Sequence, residues 1–357
     1  MRGCCFPVTF DRSPRGSFRL VRTSSFESSK RGGRRESQRG PLVVCFGEMM
    51  MNLVPTVEGV SLAEALAYKK SPTGATANVA VGISRLGCST AFIGKVGKDE
   101  FGYMLSDILK QNGVDNSGLL FDENARTGLT FYQLKSDGEH EFMFYRNPSA
   151  DMLLRPAEID IKLIKKVIEI DMKNDCIIVI HCQTATAAMN VAKMSGSILS
   201  YAPNIALPLW PSPEAARESI MGIWNYADII KVSEEEIRFL TQGDDPYDDK
   251  VIMKKLYHCN LKLLLVTEGA HGCRFYTKDF KGKVSGFEVE AVDTTGAGDS
   301  FTSGFLSIVA AHKQIYKDER RLREALDFAN ACGAVTVTGR GAIPSFPSKD
   351  VVLRILF

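Results

Sequence analysis

The stretch Asp293-Thr-Thr-Gly-Ala-Gly-Asp299 places a glycine-rich turn and a carboxylate directly before an apolar helical pattern over 301–311. Gly296, Ala297 and Gly298 let the backbone approach a bound group closely. The helix that follows would offer unpaired N–H groups and the positive end of its dipole at its N-terminus. Together these features predict an anion hole.

Asp299 would lie on the first turn of that helix, close to the anion hole. A carboxylate there can take a proton from an attacking hydroxyl, while the N–H groups stabilise charge on a moving phosphate. The pattern therefore suits phosphoryl transfer. Because acidic residues are common at helix starts, Asp299 could equally be an ordinary first-turn acid. Taken alone, the motif leaves both interpretations open.

Other kinds of site are not indicated. The chain has no Gly-x-x-x-x-Gly-Lys-[Ser/Thr] loop, which excludes a P-loop nucleotide site. Its nine cysteines form no Cys-x-x-Cys pair and there are five histidines, so neither a zinc site nor a disulfide framework is expected, and a reducing compartment is the natural environment. No apolar run approaches the roughly 18–20 residues of a membrane span.

The elements that must position this motif follow an alternating order from residue 42 onward. Short apolar runs predict strands at 42–46, 89–96, 127–135, 140–146, 176–181, 197–201, 229–232, 262–267 and 272–276. Helical patterns lie between several of them, at 77–86, 102–112, 213–225, 234–240, 300–312 and 320–337. Strands that alternate with helices predict an α/β fold, with a mostly parallel sheet covered by helices on both faces.

One pair of predicted strands breaks this order. Strands 127–135 and 140–146 are joined by the turn-forming residues Ser136-Asp-Gly-Glu139, and both mix apolar and polar positions. This pattern is typical of a hairpin with one exposed face. We therefore expect a small β-sheet lid, built from about 56–72 and 127–146, on the α/β core.

The first forty residues differ from the rest in charge. They carry 10 Lys or Arg and 3 Asp or Glu, a net of +7, so the whole-chain charge of +2 leaves −5 for residues 41–357. An acidic body is a poor match for a nucleic-acid backbone. The leader is rich in Arg and Ser and has no apolar core, which is the composition of an organelle transit peptide. Plastid import is the leading interpretation, with mitochondrial import and a plain basic tail of a cytoplasmic protein as alternatives.

Many separate blocks in the right order make residues 43–343 resemble the ribokinase-like (pfkB) carbohydrate kinases, and among them the plant fructokinases. The blocks are Val43-Val-Cys-Phe-Gly-Glu48, Ala77-Asn-Val-Ala-Val-Gly82, Phe92-Ile-Gly-Lys-Val-Gly97, Glu141-Phe-Met-Phe-Tyr-Arg-Asn-Pro-Ser-Ala-Asp151, Leu207-Pro-Leu-Trp-Pro-Ser212, Val266-Thr-Glu-Gly269, Asp293–Asp299 and Phe328-Ala-Asn-Ala-Cys-Gly-Ala334. The resemblance implies a ribokinase-like domain over 41–357, an ATP-dependent sugar kinase, and a homodimer formed through the lid.

The resemblance also implies roles for individual residues. Asp299 would be the general base on the sugar hydroxyl, with Gly296, Ala297 and Gly298 forming the anion hole. ATP would be bound by Thr267, Gly269, Gly272, Asn330 and Gly333, and the sugar by Asn52, Gly74, Asn78 and Arg146. Glu236 would hold Mg²⁺ through water. A potassium site would be formed by Asp293, Thr295, Thr336, Gly339, Gly341 and Ser345.

The sugar half departs from the fructokinase pattern. Asn52 stands where an Asp usually hydrogen-bonds the sugar, Thr73 replaces a glycine, and Tyr201-Ala-Pro-Asn-Ile-Ala206 lacks an Asp and an Arg of the usual motif. The segment between Cys176 and Tyr201 is also about ten residues shorter than in the family, either through a real loss or through a gene-model difference. Losing one charge-assisted hydrogen bond costs roughly 1.5–3 kcal/mol, or about 10- to 150-fold in sugar affinity.

These observations lead to one principal hypothesis and two alternatives. The principal hypothesis is a plastid fructokinase that makes fructose 6-phosphate and ADP from ATP and D-fructose, with Mg²⁺. Because the acceptor half is altered, the first alternative is a catalytically impaired, fructokinase-like scaffold protein in plastids. The second is a kinase of the same family for another sugar or a nucleoside. Neither a membrane nor a nucleic acid is an expected partner.

Overall fold

The computed structural model describes residues 42–57, 59–134, 140–160, 163, 177–180, 186–194 and 196–357. The leader, the hairpin connector Ser136-Asp-Gly-Glu139 and the stretch 181–185 lie outside these residues, as does the predicted strand end at Cys176.

A nine-stranded sheet forms the centre of the described fold. Its strands are β1 (Leu42–Phe46), β4 (Ser89–Gly97), β5 (Asp115–Asp122), β8 (Ile177–Ile180), β9 (Ile198–Tyr201), β10 (Ile229–Ser233), β11 (Leu263–Thr267), β12 (Cys273–Tyr276) and β13 (Lys281–Val284). Their order across the sheet is β13-β12-β11-β10-β9-β8-β1-β4-β5. The strands from β11 to β5 in this order pair in parallel, and β12 and β13 are antiparallel strands at one edge.

Helices cover both faces of this sheet because successive strand residues point to opposite sides. In β1, Val43 and Cys45 contribute to one apolar cluster, and Val44 and Phe46 contribute to the other. The first face carries α1 (Ala75–Arg85), α2 (Glu100–Gln111), α6 (Ala297–Ala311) and α7 (Glu319–Val337). The second face carries α3 (Thr186–Met194), α4 (Pro213–Trp224) and α5 (Glu234–Leu240). A last helix, α8 (Lys349–Leu356), packs beside α7.

A separate four-stranded sheet forms the lid, in the order β3-β2-β6-β7. Its strands are β2 (Met50–Pro55), β3 (Tyr68–Thr73), β6 (Leu129–Leu134) and β7 (His140–Tyr145). The hairpin expected from 127–146 is present as the antiparallel pair of β6 and β7. Of the first lid stretch, expected at about 56–72, residues 68–72 lie in strand β3, and the part before them follows β2, which ends at Pro55.

The α/β architecture predicted from the sequence is confirmed, and the nine predicted strands are present with boundaries shifted by one or two residues. Strands β2, β3, β5 and β13 are additional. Strands β3, β5 and β13 carry several polar residues, as in Tyr-Lys-Lys-Ser-Pro-Thr and Lys-Gly-Lys-Val, because each lies at an edge of its sheet, whereas β2 is an inner, mostly apolar lid strand. Edge and lid strands have a solvent-facing side, so they lack the continuous apolar runs of buried strands.

The shortened segment between Cys176 and Tyr201 does not interrupt the central sheet. Strand β8 pairs in parallel with both β1 and β9, with Ile177 opposite Val43 and Ile198. Helix α3 supplies the buried Met189 and Ala192 to the second apolar cluster. Both described strands of this unit are therefore paired within the central sheet. None of the described helices is long and apolar enough to cross a membrane.

Candidate active site

Helix α6 begins where the glycine-rich turn predicts an anion hole. Its N-cap residue is Gly296, with a φ of +82°, a conformation that favours glycine. A Cβ at this position would lie 2.5 Å from the Cβ of Ala342. The close packing of the neighbouring turn Ala342–Ser345 therefore also requires a glycine at position 296. The N–H groups of the first helical turn point toward the space before the helix, where the N-cap has no side chain to accept from them; the N–H of Ala297 donates to the carbonyl oxygen of Thr294 at 3.2 Å.

Asp299 lies on the first turn of α6 and is partly buried. Its Oδ2 accepts a hydrogen bond of 2.8 Å from Asn78 Nδ2, on helix α1. Burial raises the pKa of Asp299 to about 6, while hydrogen bonds from Asn78 and Asn204 and the positive charge of Lys231 lower it. A pKa just below neutral suits a general base, which must be ionised to accept a proton yet basic enough to hold it.

Glu48 is a second carboxyl group close to Asp299. It follows β1, and its Oε1 accepts a hydrogen bond of 3.2 Å from the N–H of Ala75, at the start of α1. Burial raises the pKa of Glu48 to about 7; Arg146 lowers it, and the carboxylates of Asp151 and Asp299 raise it. Glu48 therefore changes its charge within the neutral range, in the same pocket as the candidate base.

Arg146 follows lid strand β7 and is held by Asp151, with which it forms a buried ion pair. Ser149 Oγ donates a hydrogen bond of 2.5 Å to the other oxygen of Asp151. The Nε of Arg146 has no hydrogen-bond partner among the described residues. A buried donor without a partner is costly, so Arg146 is placed to hydrogen-bond a ligand.

Further buried polar atoms near the lid and α1 have no hydrogen-bond partner within the described part of the chain. They are the oxygen atoms of Asn52, Thr76, Asn78 and Thr130. Asn52 lies in β2, opposite Ser71 of β3 and Thr130 of β6. A polyhydroxylated ligand has donors and acceptors that could pair with such atoms.

The expected change at position 73 does not affect the tightest backbone contact. Thr73 ends β3 opposite Met50, whereas Gly74 is the residue with a φ of +122°. A Cβ on Gly74 would lie 2.5 Å from the carbonyl oxygen of Glu48 and 2.9 Å from the Cα of Met49. The glycine on which the close approach depends is therefore Gly74, and this sequence keeps it.

The six residues expected to hold a potassium ion form two sets of three that are each joined by short contacts. Asp293 accepts hydrogen bonds from the N–H of Thr295 at 2.9 Å and from the N–H of Gly341 at 2.8 Å. The N–H of Gly339 donates to the carbonyl oxygen of Thr336, and a Cβ on Gly339 would lie 2.5 Å from Ser345 Oγ. One carboxylate thus joins the turn before α6 to the loop after α7.

Tyr132 connects the lid to this loop. It lies in β6, is buried, and its hydroxyl is 3.2 Å from Thr295 Oγ1. Burial raises the pKa of Tyr132 to about 12; its hydrogen bond with Thr295 lowers it, and neighbouring Asp293 raises it. The sheet expected to cover the sugar therefore contacts the turn that leads into the anion hole.

The residues expected to bind ATP lie around one junction at the carboxyl ends of β10 and β11, where open α/β sheets bind ligands. Thr267 ends β11, and its Oγ1 lies 3.4 Å from the carbonyl oxygen of Val232. Gly269 and Gly272 have φ values of +53° and +92°. A Cβ on Gly272 would collide with the carbonyl oxygen of Val284, so the turn packs tightly against the end of β13.

Helix α7 closes the same junction. The Nδ2 of Asn330 donates hydrogen bonds to the carbonyl oxygens of Val284, at 3.4 Å, and Ser285, at 3.1 Å. A Cβ on Gly333 would lie 3.4 Å from the carbonyl oxygen of Ala297. This is an ordinary contact distance, so Gly333 lies beside the N-terminus of α6 without a steric need for glycine.

Glu236 has two backbone partners. Its Oε2 accepts a hydrogen bond of 2.7 Å from the N–H of Ser233, the N-cap of α5, and its Oε1 accepts one of 3.2 Å from the N–H of Ile205. Each oxygen keeps a further lone pair, so the carboxylate can still accept from a water molecule. The described residues contain no group of three or more His, Cys, Asp and Glu that could hold a metal ion by themselves.

Three residues near Asp299 were not expected from the sequence: Glu48, Asn204 and Lys231. Glu48 stands within a family motif, but no rule of spacing ties it to Asp299. Asn204 has a φ of +43°, and its side chain hydrogen-bonds Asp299. The sequence does contain a signal that could have identified Lys231, because a lysine inside a buried parallel strand departs from the continuous apolar pattern of such strands.

Comparisons with known proteins agree with this arrangement. The model of the pfkB family carbohydrate kinases matches residues 41–349. The chain is 62% identical over 316 residues to a protein of Arabidopsis thaliana named probable fructokinase-7, covering 88% of this chain and 92% of that protein. It is 60% identical over 321 residues to probable fructokinase-6, chloroplastic, of the same plant, covering 90% and 83%.

Solved structures show the same fold. A fructokinase from Xylella fastidiosa with bound ATP matches with a TM-score of 0.78 at 30% identity, over 89% of this chain and 98% of that one. A fructokinase from Vibrio cholerae with bound fructose, ADP and calcium matches with a TM-score of 0.77 at 29% identity, over 89% and 100%. A double mutant of the Vibrio cholerae enzyme with bound fructose, ADP and potassium matches with a TM-score of 0.77 at 29% identity, over 90% and 100%.

Proposed function

The chain belongs to the pfkB family of carbohydrate kinases, and we propose that it is a fructokinase that transfers the γ-phosphoryl group of ATP to the 6-hydroxyl of D-fructose. It is a phosphotransferase that acts on a sugar hydroxyl. The observation that carries the proposal is the position of Asp299, which meets the N-terminus of α6 on one side and Asn78 on the other.

Asp299 would act as the general base. It takes the proton of the 6-hydroxyl as that oxygen forms a bond to the γ-phosphorus, and the bond from phosphorus to the bridging oxygen of ADP breaks. Ionised Asp299 is needed at the outset, and its pKa of about 6 leaves it mostly ionised above pH 7. The N–H groups at Gly296 to Gly298 would stabilise charge on the phosphoryl oxygens.

The sugar would lie between the lid and helix α1. Asn78 and Arg146 border this space, and the unpartnered oxygen of Asn52 and the unpartnered Nε of Arg146 would pair with sugar hydroxyls. Gly74 would allow the backbone at Glu48 to approach. Since Asn52 supplies a neutral amide where the family usually has a carboxylate, we expect a higher KM for fructose than in relatives that carry the acid.

The way in which separate elements meet at Asp299 argues against the non-catalytic alternative. A scaffold protein has no use for a partly buried carboxylate that is held beside a helix N-terminus by three separate elements. The donors Asn78 and Asn204 and the cation Lys231 all act on Asp299. These groups lower the pKa of Asp299 and so favour its ionised form, which is the form a base requires.

The test is ATP turnover by the full chain against fructose, glucose, mannose, ribose and adenosine, with the phosphorylated product identified by mass spectrometry. We expect fructose to give the highest kcat/KM and Asp299→Asn to lower kcat by about 10²–10⁴-fold. Asp279→Asn, which removes an exposed carboxylate, serves as the control. Fructose turnover no faster than ATP hydrolysis, or a faster reaction with another acceptor, would exclude the fructokinase assignment.

Magnesium and potassium are the expected ions. Mg²⁺, when bound with ATP, would neutralise charge on the phosphates, and the free lone pairs of Glu236 fit a ligand that binds it through water. The Asp293 carboxylate, which accepts hydrogen bonds from the N–H groups of Thr295 and Gly341, offers oxygen atoms that would suit a monovalent cation such as K⁺. Replacing K⁺ by Na⁺ in the same assay, with Mg²⁺ held constant, tests the proposed role of K⁺.

The lid is the proposed surface for a homodimer. Strand β7 lies at one edge of the lid sheet, and its side chains Phe142 and Met143 and the adjoining Tyr145 are about half exposed. Apolar side chains on an edge strand favour pairing with another strand. Light scattering of wild type and of Phe142→Glu would show whether the mass falls from two chains to one.

We propose that the leader is a transit peptide that directs the protein to plastids. Its composition fits a transit peptide, and a relative that is 60% identical carries the word chloroplastic in its name. Residues 1–40 fused to a fluorescent protein in leaf cells should bring the fluorescence into plastids. Fluorescence in mitochondria or in the cytosol would favour one of the two alternatives.

A further inference from the structure

Arg274 is a buried arginine in β12, beside the turn that is expected to bind ATP. It is 9% exposed and lies opposite Val266 of β11. Residues 267–272, hereafter the nucleotide turn, lead from one of these antiparallel strands to the other and include Thr267, Gly269 and Gly272. Burying a guanidinium group is unfavourable unless its charge and its N–H groups find partners, so Arg274 requires an explanation.

Every nitrogen of the Arg274 side chain has a hydrogen-bond partner. Its Nε donates to Glu268 Oε1, its Nη1 donates to the hydroxyl of Tyr276 at 2.8 Å, and its Nη2 donates to the carbonyl oxygen of Pro246 at 2.6 Å. Its Cζ also lies 5.4 Å from the ring centroid of Tyr247, a cation–π contact. These partners belong to the nucleotide turn, to β12 itself and to the segment that follows α5.

Glu268 is the partner of Arg274 within the nucleotide turn, directly after Thr267. It is 3% exposed, and its Oε2 accepts a hydrogen bond of 2.7 Å from Lys283 Nζ on β13. Burial raises the pKa of Glu268, but the hydrogen bonds from Lys283 and Arg274 outweigh burial and hold the pKa below its usual range. The N–H of Glu268 donates to the carbonyl oxygen of Gly272 at 2.8 Å and so closes the turn. Glu268 is therefore ionised and held at both carboxylate oxygens.

Tyr247 extends these contacts to the start of α5. Its hydroxyl donates a hydrogen bond of 2.7 Å to Glu234 Oε2, and Glu234 is the first residue of α5. Two residues further along the helix is Glu236, which is expected to hold Mg²⁺ through water. The contacts of one arginine thus connect the nucleotide turn to the helix that carries the expected magnesium ligand.

Another arginine on the same face of the sheet shows what a role confined to packing looks like. Arg217 of α4 donates a hydrogen bond of 3.1 Å to the carbonyl oxygen of Phe239 and stacks over its ring at 4.7 Å. Phe239 lies in the last turn of α5, at the opposite end of that helix from Glu234. Arg217 therefore joins two helices, whereas Arg274 holds a carboxylate inside the nucleotide turn.

We propose that Arg274 is a positioning residue for ATP, which acts through Glu268 to fix the nucleotide turn. This inference rests on the proposed ATP-dependent kinase function. Gly269 and Gly272 have positive φ values and lack side chains that could restrain the turn. The carboxylate of Glu268, held by Arg274 and Lys283, supplies that restraint. ATP then meets a turn that is already ordered and does not have to order it on binding.

The test compares Arg274→Met with wild type and with Arg217→Met. Methionine fills part of the buried space while removing the charge and the donors. We expect the KM for ATP to rise about tenfold or more, because Glu268 then lacks the partner that orients it. The KM for fructose and kcat at saturating ATP should stay within about threefold of wild type. Arg217→Met should lower the melting temperature and leave both KM values unchanged.

Two further variants test whether Arg274 acts through Glu268. Arg274→Lys keeps the positive charge beside Glu268 and should restore part of the ATP affinity that Arg274→Met loses. Glu268→Gln combined with Arg274→Met should bind ATP no more weakly than Arg274→Met alone, because the two changes remove the same interaction. Lys283→Met removes the half-exposed second partner of Glu268 and should raise the KM for ATP about threefold or more.

Nucleotide affinity supplies a readout that does not need a sugar. Calorimetry with Mg²⁺ and a non-hydrolysable ATP analogue should show affinity for the analogue falling about tenfold or more in Arg274→Met. An inactive wild type that binds the analogue would exclude the proposed fructokinase activity without deciding the role of Arg274, which the affinities of the variants decide separately.

Three results would overturn the proposal. The first is a folded Arg274→Met that binds the analogue within about threefold of wild type, and the second is a wild type that does not bind the analogue. The third is an equal loss of affinity for the analogue and for fructose, because that result assigns Arg274 a general structural role. If Arg274→Met does not fold, the same criteria apply to Lys283→Met, whose side chain is half exposed.

Discussion

Replacing Asp299 by Asn should abolish most of the activity and at the same time stabilise the protein. In the folded chain, burial raises the pKa of Asp299 from 3.8 to about 6. The protonated form is therefore favoured by folding, and the stability that this group contributes is present below about pH 3.8 and lost as the pH rises through about 6. Above that pH the ionised base strains the folded state.

The size of this strain follows from the shift. A difference of about 2.2 pKa units corresponds to about 3 kcal/mol at pH 8, and the same linkage gives about 1.6 kcal/mol at pH 5. Asparagine does not titrate, so the stability difference between Asp299→Asn and wild type should shrink by about 1.4 kcal/mol on acidification from pH 8 to pH 5. The hydrogen bonds that the amide gains or loses add a constant that does not depend on pH.

Thermal unfolding measured at several pH values is the assay, with the buried Trp224 as a fluorescent reporter. For a domain of about 300 residues, 1 kcal/mol corresponds to about 1.5 °C, so the melting temperature of Asp299→Asn relative to wild type should be about 2 °C higher at pH 8 than at pH 5. Asp279→Asn controls for the loss of a surface charge. If the difference between Asp299→Asn and wild type does not change with pH, the buried-base reasoning is refuted.

Three further outcomes are expected. The acid limb of kcat/KM should fall through about pH 6 as Asp299 is protonated, with a further titration of Glu48 near pH 7; a rate that is flat from pH 5 to pH 8 would contradict this. Gly74→Ala should raise KM for fructose at least tenfold or destabilise the fold by about 2 kcal/mol or more, because its Cβ meets the Glu48 carbonyl at a positive φ, and steady-state kinetics with thermal melting would detect either effect. Tyr132→Phe removes the hydroxyl that contacts Thr295 and should alter the K⁺ dependence of turnover more than the melting temperature; equal K⁺ activation in both proteins would argue against a link from lid to loop.

The fold could be predicted wherever a strand is buried on both faces. The apolar runs of β1, β4 and β11 identify them as central strands, and the helices between them imply a parallel sheet. The strands at the margins could not be found in the same way. Asp115–Asp122 opens with three polar residues because β5 is an edge strand, and its apolar signal is confined to its second half.

The residues of the site likewise differ in how far the sequence predicts them. Asp299 and its anion hole are predictable because one short stretch of chain contains both the glycines and the carboxylate. Asn204 and Lys231 come from separate strands or their ends, and a sequence does not specify which strand ends meet. The sugar side carried a misleading signal at Thr73, because the steric requirement for glycine rests on the next residue, Gly74.

The chemistry of the site depends on a balance between burial and donors. Burial alone would raise the pKa of Asp299 above about 6 and so favour the protonated carboxyl, which cannot accept the sugar's proton. The hydrogen bonds from Asn78 and Asn204 and the charge of Lys231 oppose this effect and bring the pKa to about 6. A general base on this helix therefore needs its three neighbours as much as its own carboxylate. The glycine-rich motif predicts where the base lies, and the three neighbours, which arrive from α1, the end of β9 and β10, determine whether it is ionised.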